Sequence, residues 1–572
     1  MDKIIRVDMT QKEVKVQALP PVYEGLGGRA LTSKVVCEEL SPSCHPLGRR
    51  NKIVVATGLF AGTPLTCSGR LSIGAKSPLT GGIKESNVGG TAGTKLARIG
   101  IKAIIIEGKP QDDTLYFLKL AKNNCELIPA AEYYKAGNYQ LTKQLRKIYG
   151  EQISVMSIGP AGELELAAAG IAVTNVEGSP SSYAARGGLG AVLGSKKIKA
   201  IIIDDAGSKI EAQFHDKKEF IRISKEFSRK LIEAKRVLAK YGTAIEICEN
   251  NLLGCLPTRN YRTGAFEGAN RIGGEAMNDL LKRRRGKTGV ACMPGCVIRC
   301  SNIYNDENYQ YLTSALEYET IVMLGSNLGI DDLDAIAEMD RLCDDFGLDT
   351  IEVGGAIGVA MEAGLLDFGD AKAAIELLKE IPKGSPLGRI LGNGVEITGK
   401  VFGVRRIPSV KGQGMAGYDP RAMKGVGVTY MSSPMGADHT AACVIPGRTG
   451  FDPNKKYNVL KPDGQAQLSL EVQIIIAVLD AMGLCFFIGP NIETLNTLIS
   501  LHRAKYGSEI TFEDLVNLGK EILKTEREFN CGAGIAPVHH LPDFFKEEPL
   551  PPHNSIFDVS YQEVVDKFLN IV

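Results

Sequence analysis

The chain has 572 residues, a length typical of two to four domains with a sizeable buried core. Its 67 basic and 66 acidic side chains nearly cancel, so the composition does not favour a nucleic acid or an anionic membrane as partner. The most apolar segment, residues 472–488, is shorter than the roughly 20 apolar residues that span a bilayer, so we interpret it as a buried helix and expect no membrane span. The first residues lack the apolar run of a signal peptide, so we expect a cytoplasmic protein without a disulfide framework.

Strand-like segments dominate the first part of the chain, and helical periodicity dominates the rest. Short β-branched runs recur up to residue 203, interrupted by a few short helices such as residues 140–149. From about residue 210 the apolar spacing becomes helical, as in residues 217–241 and 331–346. We therefore predict an α+β protein with a β-rich domain over residues 1–208 and two mostly α-helical domains over residues 209–385 and 386–572.

Two glycine-rich segments lie in the predicted β-rich domain, at residues 86–93 and 186–194. The first leads into a predicted helix at residues 94–99, and the second precedes a strand. Backbone N–H groups without side-chain cover bind phosphate oxygens well, so each segment is either an anion-binding loop or a pair of tight turns. Neither segment has the Gly-Lys-Ser/Thr of a P-loop or a dinucleotide-binding fingerprint.

Three cysteines lie within nine residues, at Cys292, Cys296 and Cys300. In a reducing cytoplasm such a group indicates soft metal ligands. The Pro-Gly dipeptide between the first two places them on an open loop, which favours a [4Fe-4S] cluster, with a structural zinc site as the alternative. A fourth ligand must come from elsewhere, and Cys485 is the best candidate because it ends a repeated motif.

The motif Asp-x-x-Gly-Leu occurs twice, beginning at Asp344 and Asp480, and is followed by Asp349 in one copy and Cys485 in the other. In both copies a predicted helix ends on the glycine, which suits the left-handed position after a helix. Each first aspartate then lies in the last helical turn, where its carboxylate opposes the helix dipole at a cost on the order of a few tenths of a kcal/mol. The planar N–H donors of a pterin would compensate this cost, so the two copies indicate a ligand that is held from both sides.

With these motifs the chain resembles, over nearly its whole length, the tungsten-dependent aldehyde:ferredoxin oxidoreductases. The resemblance implies a bis-pterin cofactor on one tungsten (or molybdenum) atom beside a [4Fe-4S] cluster, with a β saddle under the cofactor and two helical domains enclosing it. The implied cluster ligands are Cys292, Cys296, Cys300 and Cys485. The implied pterin contacts are Arg70, which reaches between cluster and pterin, and Asn87, Gly89, Arg186, Gly187, Asp344, Leu348, Asp349, Asp480 and Leu484. A magnesium ion would bridge the pterin phosphates through the main-chain carbonyls of Asn87 and Gly187.

The sequence departs from the family pattern at the first cluster cysteine. Three residues separate Cys292 from Cys296, whereas most members of the family have two. The longer loop can be absorbed at Gly295, so all four cysteines are retained as ligands.

The oxidation of an aldehyde with water needs a base for the attacking oxygen and a donor for the carbonyl group. The resemblance implies these roles for Glu319 and His439, which without it would be interpreted as a solvated glutamate and a hydrogen-bonded loop histidine. Glu319 lies in a predicted helix at residues 315–326. Because residues two apart on a helix point about 200° apart, only one of Glu317 and Glu319 is expected to face the metal.

The resemblance implies an oxygen-sensitive enzyme that oxidises an aldehyde to a carboxylate and passes electrons through the cluster to ferredoxin or a small iron–sulfur subunit. A homodimer is compatible with this expectation. The alternative within redox chemistry is a related enzyme that reduces an aromatic or acyl thioester or acid, distinguished by whether Cys255 ligates the metal. For Cys255 itself, the role of a small buried apolar residue is favoured. The alternative from another class is a non-catalytic, zinc-stabilised assembly subunit.

Overall fold

The computed structural model describes residues 2–208, 210–445, 447–452 and 454–569. Two six-stranded sheets occupy the N-terminal part, and helices dominate the rest, as predicted. The strands of the first sheet are Lys3–Asp8, Glu13–Ala18, Ile53–Thr57, Leu71–Lys76, Ile83–Val88 and Ile101–Glu107. Those of the second sheet are Tyr116–Ala121, Cys125–Pro129, Ser154–Ser157, Ile171–Val173, Ser182–Ala184 and Ile198–Asp204.

The two sheets have the same topology. In each, the spatial order of the strands is second, first, sixth, third, fourth, fifth, and only the first and sixth strands pair in parallel. In each half of the domain a helix follows the second strand, Gly28–Glu39 or Asn138–Tyr149. A shorter helix follows the fifth strand, Ala92–Arg98 or Leu189–Ser195. The β-rich domain is therefore built from two equivalent halves.

Both glycine-rich segments connect a strand to a helix. The strand Ile198–Asp204 follows the second segment as expected, but the helix Leu189–Ser195 within the segment was not predicted. Its glycines allow this helix to pack closely: a Cβ on Gly190 would lie 2.2 Å from Gly170 O, and a Cβ on Gly194 would lie 1.9 Å from Gly162 O. Because small residues are needed for this close packing, the segment lacks the apolar spacing by which a helix is recognised in a sequence.

The remainder of the described chain is mostly helical. Its helices of nine residues or more are Lys217–Ala234, Gly274–Arg283, Leu333–Phe346, Thr350–Glu362, Ala371–Glu380, Lys424–Ser432, Gln465–Met482, Ile492–Tyr506, Phe512–Gly532 and Tyr561–Leu569. Its shorter helices are Arg236–Tyr241, Glu246–Leu252, Ala269–Ile272, Tyr318–Leu324, Pro386–Gly392, Val395–Phe402 and Phe544–Glu547. A small sheet of Lys287–Val290, Ser301–Asn305 and Tyr311–Ser314 carries the three close cysteines, and Ser409–Val410 pairs with Gln413–Gly414.

Two helices of this part bear on the predictions. The helix expected over residues 217–241 is divided at Lys235 into Lys217–Ala234 and Arg236–Tyr241. Gln465–Met482 is long and apolar enough to cross a membrane, but 78% of it is buried inside the protein. It packs between Gly28–Glu39 and Phe512–Gly532, which is the position of a core helix.

Candidate active site

The two Asp-x-x-Gly-Leu motifs lie at equivalent places, one against each sheet. Gly347 and Gly483 end their helices with φ of +78° and +75°, the left-handed conformation that the sequence predicts. The N–H of Gly170 donates to Gly347 O (3.0 Å), and the N–H of Arg70 donates to Gly483 O (3.1 Å). A Cβ on Gly58 would lie 2.2 Å from Gly483 Cα, so main chain meets main chain there. Each half of the β-rich domain thus clamps one motif through its backbone.

The protein itself supplies partners for the two motif aspartates. Tyr139 Oη donates to Asp344 Oδ2 (3.1 Å), and Arg29 Nη1 lies 3.3 Å from Asp480 Oδ2. Arg29 and Tyr139 are each the second residue of an equivalent helix, whose positive N-terminus meets the negative end of the motif helix. Burial raises the pKa of both aspartates well above its ordinary range. Both aspartates also line one shared cavity, which leaves them within reach of a ligand.

The cysteine loop, residues 291–300, connects two strands of the small sheet. Three of the four predicted cluster ligands line the same cavity as the motifs: Cys292, Cys300 and Cys485. Gly295 has φ of +77°, a left-handed turn that accommodates the three-residue spacing. Among the described residues, no three His, Cys, Asp or Glu side chains converge closely enough for a single metal ion.

A fifth cysteine, Cys67, lies among the predicted ligands. Its Sγ is 3.9 Å from Cys296 Sγ, and its carbonyl oxygen accepts a hydrogen bond from Cys485 N (3.1 Å). The preceding Thr66 hydroxyl donates to the carbonyl before Cys296 (2.8 Å) and accepts from the N–H after it (3.2 Å). The strand-proximal segment at Thr66 and Cys67 therefore fastens the cysteine loop to Cys485.

The first glycine-rich segment joins the cysteine loop to the cavity. Arg70 Nη2 donates to Asn87 O (3.1 Å), and Arg70 Nε donates to Asn87 Oδ1. Gly90 N donates to Cys292 O (3.1 Å), and a Cβ on Gly89 would lie 3.5 Å from Cys292 Sγ. Three predicted pterin contacts line the cavity here, namely Arg70, Asn87 and Gly89. The guanidinium of Arg70 thus lies between the cysteine loop and the ligand side of the cavity.

The second glycine-rich segment presents other side chains to the cavity than those expected. Tyr183 and Ala185, which directly precede the segment, line the cavity, whereas Arg186 and Gly187 within it do not. Arg186 Nε lies 3.2 Å from Asp349 Oδ2 in a buried ion pair, and Gly187 O accepts a hydrogen bond from a serine hydroxyl (2.8 Å). Arg186 and Gly187 therefore stay predictions as pterin contacts. Of the other predicted contacts among the described residues, Leu348 lines the cavity, while Asp349 and Leu484 do not.

Glu319 and His439 meet at the cavity wall. Glu319 Oε1 lies 3.3 Å from His439 Nε2, and Glu319 Oε2 accepts a hydrogen bond from Gly417 N (2.7 Å). Burial raises the pKa of Glu319 above its ordinary value. A largely buried carboxyl group beside an imidazole can pass a proton to it or receive one from it.

The helix expected over residues 315–326 was wrong at its start, so helical spacing no longer supports the expectation that only one of Glu317 and Glu319 faces the metal, and that expectation stays a prediction. Ala315 has φ of +60° and Glu317 is extended, so the helix begins at Tyr318 and not at residue 315. Helical spacing therefore does not separate the two carboxyl groups, and both line the cavity. Glu317 lies near Arg70, and burial raises its pKa to about 7.

Cys255 is fully buried, with its Sγ 3.4 Å from Asn250 Oδ1. It is not among the described residues that line the cavity. Cys443, which the sequence did not single out, does line the cavity. The rings of Tyr318 and Tyr418 stack at 5.1 Å on the same wall.

Comparisons with known proteins agree with the geometry of this site. Sequence models described as "Aldehyde ferredoxin oxidoreductase, N-terminal domain" and "Aldehyde ferredoxin oxidoreductase, domains 2 & 3" match residues 4–205 and 222–571. The tungsten-containing aldehyde ferredoxin oxidoreductases of Pyrococcus abyssi and Pyrococcus horikoshii are 33% and 32% identical to this chain, over 96% of it and 92% of their own lengths. The chain belongs to the aldehyde ferredoxin oxidoreductase family. It is therefore an oxidoreductase, and the alternative of a non-catalytic assembly subunit is set aside.

Two more distant proteins are also similar to this chain, one in sequence and one in structure. The WOR-like subunit of an aliphatic sulfonate oxidoreductase from Pyrococcus furiosus is 26% identical over 92% of this chain and 85% of its own length. A solved structure, the active site complex BamBC of benzoyl coenzyme A reductase with 1,5-dienoyl-CoA, covers 100% of this chain and 94% of its own chain. Its TM-score is 0.81 at 18% identity, a similarity that shows the fold alone.

The cavity fits the tungsten–pterin cofactor that is implied by the tungsten-containing members of the aldehyde ferredoxin oxidoreductase family. Its volume is about 1450 Å³, and both motifs open onto it. Within the described part of the chain, Asn87 Nδ2, Glu319 Oε1 and His439 Nδ1 are buried without a hydrogen-bond partner. Buried polar atoms that lack a partner cost free energy, so donors and acceptors on a bound ligand would satisfy them.

Sequence reasoning missed several residues of this site. Cys67 lies three positions before the predicted pterin contact Arg70, and its cysteine identity was the available signal. Arg29, Tyr139 and Tyr183 carried no signal in a single sequence, because only the pairing of the two sheet halves shows that they lie at the motifs.

Proposed function

We propose that this oxidoreductase oxidises an aldehyde to a carboxylate with water and passes the two electrons through a [4Fe-4S] cluster to ferredoxin or an iron–sulfur partner subunit. The pairing of Glu319 with His439 supports this proposal most, because the pair lies on a cavity bounded by both motifs and by the cluster cysteines. The names of the similar tungsten-containing enzymes agree with this reaction.

Arg70, Asn87, Gly89, Asp344, Leu348 and Asp480 would hold the pterins from the cavity wall. Asn87 and Gly187 would offer main-chain carbonyls to a magnesium ion between the pterin phosphates. Cys292, Cys296, Cys300 and Cys485 would hold the cluster. When bound, the tungsten centre supplies a Lewis acid and a two-electron acceptor.

Glu319 is the general base in this proposal. Gly417 N fixes one carboxylate oxygen, which leaves Oε1 directed at His439 and free to take a proton from the attacking water. The raised pKa makes this carboxylate a stronger base than an exposed glutamate. His439 would donate to the aldehyde oxygen or receive the proton from Glu319, because its Nε2 lies 3.3 Å from the carboxylate.

Tyr418 and Glu246 lie beside this pair on the cavity wall. The ring of Tyr418 lies 5.8 Å from that of His439, and Tyr418 Oη donates to Glu246 Oε2 (3.3 Å). Burial raises the pKa of Glu246 to about 7, which suits a group that accepts and releases protons near neutral pH. Tyr318, Tyr418 and Cys443 also form a largely apolar wall, against which the side chain of the aldehyde would pack.

Metal analysis tests the proposed function directly. The protein purified without oxygen should contain about one tungsten and about four irons per chain, because one [4Fe-4S] cluster accompanies one metal–pterin centre. Inductively coupled plasma mass spectrometry measures both metals, together with magnesium and zinc. The denatured protein should release a fluorescent pterin. Zinc without pterin would overturn the proposal.

An aldehyde panel separates the proposed reaction from its alternative. Aldehyde-dependent reduction of a viologen dye is expected, and an aromatic thioester should not be reduced by the same preparation. The alternative, a reductase of a thioester or acid, lacks support from Cys255, because this thiol does not line the cavity in the described chain. Thioester reduction without aldehyde oxidation would favour it nonetheless.

A further inference from the structure

Four exposed cations surround the outer side of the cysteine loop. We call Arg236, Lys240, Lys287 and Arg299 the basic face; each is exposed to solvent. In the described part of the chain, none of the four has a carboxylate within ion-pair distance. The whole chain is nearly neutral, with 67 basic and 66 acidic side chains, so four unpaired cations on one face are a local asymmetry.

The elements that carry these cations pack together over the predicted cluster. The helix Arg236–Tyr241 packs against the strand Lys287–Val290, and a Cβ on Gly289 would lie 3.2 Å from Ala239 O. Arg299 Nε donates to Gly289 O (2.7 Å), which ties the end of the cysteine loop to that strand. A Cβ on Gly242 would lie 3.0 Å from Cys300 O, so the helix end touches a predicted ligand residue.

The same face includes apolar surface and the exposed tip of the cysteine loop. Val237, which follows Arg236 in the sequence, is 56% exposed and lies at the border between the basic face and the cavity that it also lines. Pro294 and Gly295 are also exposed, while Cys296 directly behind them is 8% exposed. A mixture of cations and apolar side chains is typical of a transient interface with an acidic protein.

We propose that the basic face is the docking surface for a small acidic iron–sulfur protein that takes electrons from the cluster. This inference rests on the proposed function, which assigns a cluster to the cysteine loop. An acidic carrier would be steered to this face by charge, and its own cluster would then lie near Cys296, which is 8% exposed behind the exposed Pro294 and Gly295.

The test compares two charge-reversed holoenzymes with the wild type. Lys240→Glu/Lys287→Glu alters the basic face, and Lys143→Glu/Lys147→Glu makes the same charge change on the exposed side of helix Asn138–Tyr149. Binding of a purified acidic [4Fe-4S] ferredoxin to the oxidised holoenzyme is measured by calorimetry at low ionic strength, so the readout does not depend on turnover. We expect Kd to rise about tenfold or more in the first variant and to stay within about twofold in the second.

Aldehyde-dependent reduction of benzyl viologen serves as the second measurement. The dye needs no protein interface, so its rate and the KM for the aldehyde should be unchanged in both variants. An unchanged ferredoxin Kd in the first variant, or an equal rise in both variants, would overturn the docking surface. A raised KM for the aldehyde instead of a raised Kd would overturn it too, and would show that the cations attract substrate. Absence of dye reduction by the wild type would count against the proposed function, independently of the binding result.

Discussion

Glu317 and Glu319 are both buried glutamates on one cavity, and their neighbours give them different roles. Glu319 contacts His439 and receives one hydrogen bond from Gly417. Glu317 lies near Arg70 and the cysteine loop, where a carboxylate balances the guanidinium charge. At the scale of single residues, the neighbouring groups therefore decide which carboxylate can serve as base and which one belongs to the cofactor-binding wall.

Replacement of Glu319 by glutamine should retain tungsten and iron but reduce turnover by a factor of about a hundred or more, because the general base is lost. The wild-type rate should rise with pH through the pKa of Glu319, which burial raises above its ordinary value, since only the carboxylate can accept a proton. The variant should lack this rise. Aldehyde oxidation with a viologen dye between pH 5 and 9 measures both effects, and an unchanged rate would remove Glu319 as the base.

Cys67 and Cys296 offer a matched pair of thiols, because their sulfurs are 3.9 Å apart and both are buried. A [4Fe-4S] cluster needs four thiolates, so Cys296→Ala should lose most of the iron while Cys67→Ala should retain about four irons per chain. Iron analysis and low-temperature electron paramagnetic resonance of the reduced protein measure this. Iron loss in Cys67→Ala with retention in Cys292→Ala would instead make Cys67 the ligand and account for the unusual spacing.

At the scale of elements, each motif is a helix end fitted against a strand end. Gly347 and Gly483 must be left-handed to end the helices, and the loops after the third strands press against them. Arg29 and Tyr139 stabilise the buried aspartates from the N-termini of equivalent helices. The protein thus supplies part of the compensation that we expected from the pterin alone.

Gly483→Ala should lower the tungsten content and the thermal midpoint of unfolding more than Gly403→Ala, a glycine-to-alanine change at another helix end. Its Cβ would lie 2.8 Å from Gly58 Cα and 3.1 Å from Arg70 O, in addition to the cost of a left-handed alanine. The matched control is Gly403→Ala, a left-handed helix end with nothing within 4 Å of the new Cβ, for which backbone strain of about 1 kcal/mol is expected. Equal losses in both variants would contradict the clamp.

At the scale of the whole molecule, the cavity lies where the two equivalent sheet halves meet the helical part. The halves place the motifs at Asp344 and Asp480 on one cavity, although the motifs are far apart in sequence. Only the motif that begins at Asp480 is followed by a cysteine, Cys485. The predicted fourth cluster ligand is therefore present at this motif and not at the one that begins at Asp344. The basic face then lies on the outer surface of that same side.

Much of the fold was accessible from the sequence. The β-branched runs predicted the strands, and the motif glycines predicted left-handed helix ends, because these signals are local in the chain. Two predictions of secondary structure failed. The helix Leu189–Ser195 was missed because its small residues pack closely, and the helix expected from residue 315 begins only at Tyr318 because Glu317 is extended. In both cases a tertiary contact or turn overrides the local periodicity.

The sequence by itself determined the family, and it predicted the residues for the chemistry, namely those of the cysteine loop and the paired motifs together with Glu319 and His439. These features are recognised from residue types and from their spacing along the chain, both of which can be read in a single sequence. Tertiary structure alone decided that Cys67 joins the cysteine group, that Arg186 binds Asp349 behind the wall, and that both glutamates reach the cavity. Such contacts join residues distant in sequence, and their geometry is set by how the two sheet halves pack against the helices.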